Sequence, residues 1–242
     1  MLSAGFKTDQ GRCRDNNEDS LFVLPNHRMY MVADGVGGNR SGEVASRTAV
    51  TSVASYVDSH PLDQVEDEEQ LQRYFLDCFT GANRDICKLS AENRECFGMA
   101  TTLVVAYLTE EKGYVVNIGD SRAYLVREGQ IMQITRDHTY VNELLMHGSI
   151  SEEEAKCHPK RNMITRALGD EQPIRPDFFR FDIEEGDVLI LCTDGLFGEL
   201  EDEQICNMAM TEPSMHKLAA DLVEQANIHG GRDNISVVCI RV

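Results

Sequence analysis

Positive charge is scarce in this chain. Its 23 lysines and arginines face 41 aspartates and glutamates, a formal net charge of −18 over 242 residues. Binding to a nucleic acid backbone or an anionic lipid surface needs local cations, so neither partner is expected. Close cysteine pairs are also missing. The 8 cysteines (Cys13, Cys78, Cys87, Cys96, Cys157, Cys192, Cys206 and Cys239) include no Cys-x-x-Cys, and several fall within apolar periodic runs. That spacing disfavours a zinc or iron–sulfur site and reads as free, mostly buried thiols in a reducing compartment. The N-terminus lacks a basic segment followed by an apolar core, and no run reaches membrane-spanning length, so a cytoplasmic protein is expected. Internal repeats and low-complexity tracts are absent. The length allows one large domain or two small ones, with a sizeable core either way.

What the chain does have is a recurring pattern of apolar strands that end in an acid. Met29-Tyr30-Met31-Val32-Ala33-Asp34 runs into Gly35-Val36-Gly37-Gly38, where bare backbone lets a ligand approach closely. Val188 to Thr193 leads to Asp194-Gly195, Val115 to Gly119 leads to Asp120, and Asp233-Asn234 precedes the apolar run Ile235 to Ile240. Asp-Gly is also a frequent turn signal, so each acid taken alone reads equally well as a turn former. Four acids at strand boundaries suit hard cations such as magnesium, which prefer oxygen ligands.

The rest of the chain supplies a frame for them. Met1 to Thr8 reads as a first strand, residues 11–20 as a polar loop, and Leu21 to Leu24 with Tyr30 to Ala33 as a hairpin. Ala45, Ala49, Val53 and Val57 mark an amphipathic helix from Gly42 to Ser59, and Leu71 to Leu89 carries the stripe of a second. Two successive long helices between strands must cover a sheet face. Thr101 to Leu108, Gly113 to Ile118, Ala123 to Val126 and Ile131 to Ile134 read as an antiparallel meander, since no crossover helix separates them. Residues 137–170 interrupt it with short-helix character, including a capping box opening at Ser151, as expected of a lid, a substrate-contact element or ordinary packing. Phe178 to Ile183 and Val188 to Cys192 then flank a turn. Helices are expected over Asp202 to Met210 and Ser214 to Ile228, before a last strand at Ile235 to Ile240 with Arg241 and Val242 as its tail. Because the acids span Asp34 to Asp233, residues 1–242 are expected to close as a single domain around one site.

Arg14-x-x-x-Glu18-Asp19, Asp34-Gly35-Val36-Gly37-Gly38, Gly119-Asp120-Ser121-Arg122, Asp194-Gly195 and Asp233-Asn234 follow one another in an order that resembles the metal-dependent PPM protein phosphatases, the PP2C-like family. The stretch His158 to Gly169 looks like the bacterial branch, and the resemblance covers essentially the whole chain. It implies an α+β fold: a four-layer αββα sandwich of two mostly antiparallel sheets flanked by helices, with residues 137–170 as a helical flap. It also implies hydrolysis of phosphoserine and phosphothreonine on cytoplasmic proteins, opposing a Ser/Thr kinase, with Mg²⁺ or Mn²⁺ as cofactor. Asp34 matches the aspartate bridging two core ions, Gly35 a carbonyl ligand, Asp194 and Asp233 ligands of the second ion, and Glu18 a ligand acting mainly through water. Asp120 with Asp194 matches a third, weaker site. Arg14 matches the arginine that holds the phosphate, for which its planar donor fork is suited where lysine is not. Two ions about 3.5–4 Å apart would hold a bridging water as hydroxide in line with phosphorus.

Val36 departs from some members of the family, which carry a histidine there as proton donor to the leaving group; valine transfers no proton. Asp19 is expected to take a metal-linked or loop-fixing role, and Asn234 a supporting one. Asp15, Asn16 and Asn17 are expected to be solvated, Arg122 to pair with Asp120, and His138 and His158 to be structural or to face substrate. A monomer is expected. The alternatives are a regulatory anti-anti-sigma-type protein or a small phosphomonoester as substrate, or an inactive PPM-like interaction module.

Overall fold

The computed structural model of the chain describes residues 2–37, 41–170 and 173–242. β1 (Ser3–Asp9) leads into the polar loop, and β2 (Asp19–Leu24) and β3 (Met29–Val36) form the expected hairpin around a 3-10 turn at Pro25–His27. Proline presets the φ that such a turn needs. α1 (Ser41–Ser59) and the longer α2 (Glu68–Glu92) follow, α2 opening on Asp67, whose carboxylate accepts from the Gln70 N–H. Next come β4 (Ala100–Thr101), β5 (Leu103–Leu108), β6 (Lys112–Ile118), β7 (Arg122–Arg127) and β8 (Gln130–Gln133). The 137–170 stretch contains two short helices, α3 (Tyr140–Met146) and α4 (Glu152–Lys156), the second opened by the Ser151–Glu154 capping box. β9 (Asp177–Asp182), β10 (Val188–Cys192), the one-turn α5 (Asp194–Phe197), α6 (Asp202–Thr211), α7 (Met215–His229) and β11 (Ile235–Arg241) complete the order.

Two antiparallel sheets result. One runs β1-β11-β10-β7-β8; the other runs β2-β3-β5-β6-β9, with β4 beside β3. Strand alternation sorts the core into layers. In β3, Met29, Met31 and Ala33 join Phe75, Phe79 and Ile86 of α2 and Val53 of α1, while Tyr30 and Val32 point to the opposite sheet. In β10, Ile190 and Cys192 face Leu218 and Leu222 of α7, whereas Leu189 and Leu191 meet Tyr30, Val32 and Val104 between the sheets. The architecture is therefore α1/α2, sheet, sheet, α6/α7, the four-layer sandwich expected. Each fully buried large apolar side chain in it contributes roughly 1.5–3 kcal/mol.

Three expectations need correction. Residues 101–134 are not one meander: β5 and β6 stay in one sheet, and β7 and β8 belong to the other. β5, β6 and β7 are buried on both faces, so their apolar pattern carries no mark of which sheet they join. The chain changes sheets at Gly119–Ser121, where Gly119 has φ +105° and a Cβ would stand 2.6 Å from Thr102 Cβ. β9 and β10, expected around one turn, likewise lie in different sheets. Arg241 is no tail residue; it closes β11, and its Nη2 donates to the carbonyls of Ala209 and Glu212.

Candidate active site

The site assembles at the end of the sandwich where both sheets release their acids. β2 and β3 place Asp19 opposite Asp34 in register. The Asp34 backbone is fixed on both sides: its N–H donates to Thr102 Oγ1 (2.8 Å), and its carbonyl accepts from Thr102 N (2.9 Å) and Thr101 Oγ1 (2.8 Å). Asp34 is therefore not a strand end as expected, because β3 continues through Gly35 and Val36 against β4. Gly35 lets the start of α1 press onto this strand: a Cβ there would lie 2.1 Å from the Gly42 carbonyl oxygen, and one at Gly42 would lie 2.5 Å from Glu18 Oε2. Glu18 is thereby held against the first turn of α1, with its carbonyl accepting from Ser46 Oγ at 2.6 Å. Gly38, the last residue of the glycine motif, lies outside the described residues.

The other sheet delivers the remaining acids. Asp120 sits at the sheet crossing, Asp194 opens α5 directly after β10, and Asp233 precedes β11. Asn234 ties the polar loop to them: its Oδ1 accepts from Glu18 N, and its Nδ2 donates to the carbonyls of Gln10 and Asn16, each at 2.8 Å. Behind them Thr193 Oγ1 donates to Asp19 Oδ2 (2.8 Å) and accepts from Ser236 N (3.0 Å), a buried link between the sheets. Arg14 Nη2 meets Asp233 Oδ2 at 2.6 Å. Arg14, Glu18, Asp34, Gly35, Asp120, Asp194 and Asp233 all line one cleft of about 670 Å³.

So many carboxylates in one place repel each other. Burial, then the neighbouring charges of Asp19 and Asp194, pushes the Asp34 carboxyl well above its ordinary range. Burial and Asp194 raise Asp120 to about 7. Burial and Asp233 raise Asp194 to about 6, while a hydrogen bond with Asp34 and the charge of Arg14 pull it down. Burial lifts Asp19 to about 7 against the hydrogen bonds of Thr193 and Ser236. Burial likewise raises Glu18. Arg14 is raised, first by its bond to Asp233.

This donor set fits hard divalent cations. It is all oxygen, it carries excess negative charge, and Asp194 Oδ1 is buried without a hydrogen-bond partner, as is Asp19 Oδ1. As placed, no three His, Cys, Asp or Glu side chains among the described residues are drawn together tightly enough to hold an ion.

Some neighbours differ from expectation. Arg122 pairs with Asp137, not Asp120, at 2.7 to 3.1 Å through two nitrogens. Asn16 and Asn17 are not merely solvated: Asn16 Nδ2 donates to Glu43 (3.2 Å), and Asn17 Nδ2 to Thr8 Oγ1 (2.8 Å). His138 is structural, its Nδ1 accepting from Gly119 N at 3.1 Å and its Nε2 lying 3.3 Å from Asp177. Val36 stands half-exposed on the cleft and offers no proton. Sequence reasoning missed Thr102, Gly42 and Ser236, which only tertiary contact brings here. Thr193 had one available signal, a hydroxyl directly before the acid at a strand end.

Known proteins share this arrangement of chain. A model of the family described as protein phosphatase 2C matches residues 8–229. The serine/threonine phosphatase stp of Listeria monocytogenes is 35% identical, covering 99% of this chain and 95% of that protein. The structure of the S. agalactiae serine/threonine phosphatase superposes with a TM-score of 0.90 at 32% identity, over 100% of both chains. The catalytic domain of the serine threonine protein phosphatase PstP, in complex with 2 manganese ions, gives a TM-score of 0.84 at 33% identity over 99% of this chain and 97% of that one. Matches of this extent make the chain a member of the protein phosphatase 2C family.

Proposed function

We propose that this phosphatase hydrolyses phosphoserine and phosphothreonine in cytoplasmic proteins, as a monomer of one domain, with Mg²⁺ or Mn²⁺ as cofactor, and opposes a Ser/Thr kinase. One observation carries the reading: acids from five separate segments converge on one cleft with a half-exposed arginine at its edge. Asp34, the Gly35 carbonyl and Glu18 reach it from one sheet and its loop, and Asp194 and Asp233 from the other; together they would hold two core ions. Asp120 with Asp194 would hold a third, weaker one. When bound, such ions supply Lewis-acid charge at the phosphoryl oxygens and bring the pKa of a coordinated water toward neutrality.

The chain's own groups do the rest. Arg14 uses Nη2 on Asp233, so its remaining guanidinium donors are available to phosphate oxygens. Thr101 and Thr102 hold the Asp34 backbone, and the Thr193 hydroxyl fixes the residue before Asp194 to the opposite sheet. Preorganisation of this kind keeps charged groups where charge develops in the transition state. Val36 leaves the glycine loop without a proton donor, so the leaving alkoxide takes its proton from outside that loop.

The test is hydrolysis of phosphothreonine and phosphotyrosine peptides with and without added Mn²⁺, followed by EDTA. Turnover of the phosphothreonine peptide that requires the ion supports the reading. Undiminished turnover after rigorous metal removal refutes it.

A further inference from the structure

We propose that a second groove beside the catalytic cleft binds an anionic side chain of the substrate itself, a phosphoresidue or a carboxylate a few residues from the phosphate being removed. The inference rests on the phosphatase reading above. The groove, about 930 Å³, lies between the 137–170 insertion and α5, and shares Asp120, Asn162 and Asp194 with the cleft. An extended chain leaving the cleft advances about 3.3 Å per residue, so a neighbouring side chain enters the groove within a few positions.

Charge makes the groove selective. Arg136 from the connection after β8, Lys156 at the end of α4 and Arg161 of the insertion line it. None of the three has an ion-pair partner among the described residues, although the chain carries a net −18. The fourth cation there, Arg122, is already held: Asp137 takes its guanidinium, which also lies 3.7 Å from the centre of the Phe197 ring. That pair forms a neutral floor. Of the carboxylates lining the groove, Asp137 is therefore engaged, Asp120 and Asp194 stand at the end shared with the cleft, and Glu201 borders α6. The divider between the two cavities is fixed, since Tyr140 N–H donates to the Met163 carbonyl at 2.9 Å and Thr139 pairs with Ile164. Exposed ion pairs are individually weak and screened by salt, so the preference should come from several cations acting together and fade at high ionic strength.

The experiment compares phosphothreonine peptides that differ at one flanking position, scanned over about four residues on either side, carrying alanine, aspartate or phosphoserine. At low salt, an anion at one or more positions should raise kcat/KM by about tenfold, which is about 1.4 kcal/mol. The aspartate and phosphoserine arms separate a carboxylate from a phosphate preference. The R136E/K156E variant should lose or invert the preference while hydrolysing p-nitrophenyl phosphate normally, because that ester is too small to reach the groove. The single variants R136A and K156A, both at exposed positions, should each weaken it. Equal kcat/KM for all peptides, or a full preference retained in R136E/K156E, overturns the proposal. Failure to hydrolyse any ester with Mn²⁺ present overturns the phosphatase reading itself, and the groove's role with it.

Discussion

Replacing Asp120 by asparagine should stabilise the metal-free protein above neutral pH while weakening its response to metal. Asp120 is buried, and Asp194 and Asp137 add repulsion, so its carboxyl titrates near about 7 in place of 3.8. A carboxyl raised on folding binds its proton more tightly in the native state, so stability falls as pH climbs between the unfolded and folded values. The rise from 3.8 to about 7 corresponds to about 4 kcal/mol of stability that the ionised side chain costs above pH 7. Asparagine keeps the shape and removes the charge, but loses some hydrogen bonding, which leaves a gain of about 2–3 kcal/mol. For a chain of this size that gain is a rise in Tm of about 4–12 °C. The assay is urea or thermal unfolding in EDTA at pH 4 and pH 8, repeated with Mn²⁺. D120N should fall about 1–2 kcal/mol below the wild type at the lower pH, where only the lost hydrogen bonding counts, exceed it at the higher, and gain less from the ion. Equal or lower stability than the wild type at pH 8 without metal would refute the account of charge repulsion in the cleft.

Asp34→Asn should abolish phosphomonoester turnover and leave the circular dichroism spectrum intact; normal turnover would remove Asp34 from the centre of the mechanism. Gly35→Ala places a Cβ 2.1 Å from the Gly42 carbonyl oxygen. It should cost about 1–3 kcal/mol through overpacking and displace the start of α1, read as a lower Tm and a smaller gain on Mn²⁺ addition. Asp187, buried at the turn before β10, accepts from Arg127 at 2.8 and 2.6 Å. Because Arg127 is partly solvated, Asp187→Ala should cost about 2 kcal/mol in urea unfolding and leave kcat/KM unchanged.

Local chemistry announced much of this protein. Helix periodicity marked α1 and α2 almost to their ends, and the capping box at Ser151 formed as expected. The acids at 34, 120, 194 and 233 were visible because each adjoins an apolar run, and they do line one cleft. Sheet membership was hidden for a physical reason: Val104, Val115, Leu125 and Leu189 sit in strands covered on both faces, where no polar side reveals the neighbour. Pairings over long sequence distance were hidden as well. Arg122 stands close to Asp120 in sequence, yet the turn at Gly119 and the loop after β8 bring it Asp137. Thr102 carries no motif of its own, and Thr193 only its place directly before Asp194. Their hydroxyls matter through what the fold brings to them, the Asp34 backbone N–H to Thr102 and the buried Asp19 carboxylate to Thr193.

The division of acids between the sheets has a consequence for the whole interior. Asp34 travels with one sheet, and Asp194 and Asp233 with the other, so the gap across the cleft is set by the thickness of the apolar layer between them. Tyr30 and Val32 of β3, Leu189 and Leu191 of β10 and Val238 of β11, three strands drawn from distant parts of the chain, fill that layer. Their bulk acts as a spacer for the acids that face each other across the cleft. A methylene added or removed there changes the span between those carboxylates without touching any of them, so if they hold the proposed ions, selection on ion size and charge would also be felt by side chains that never meet an ion.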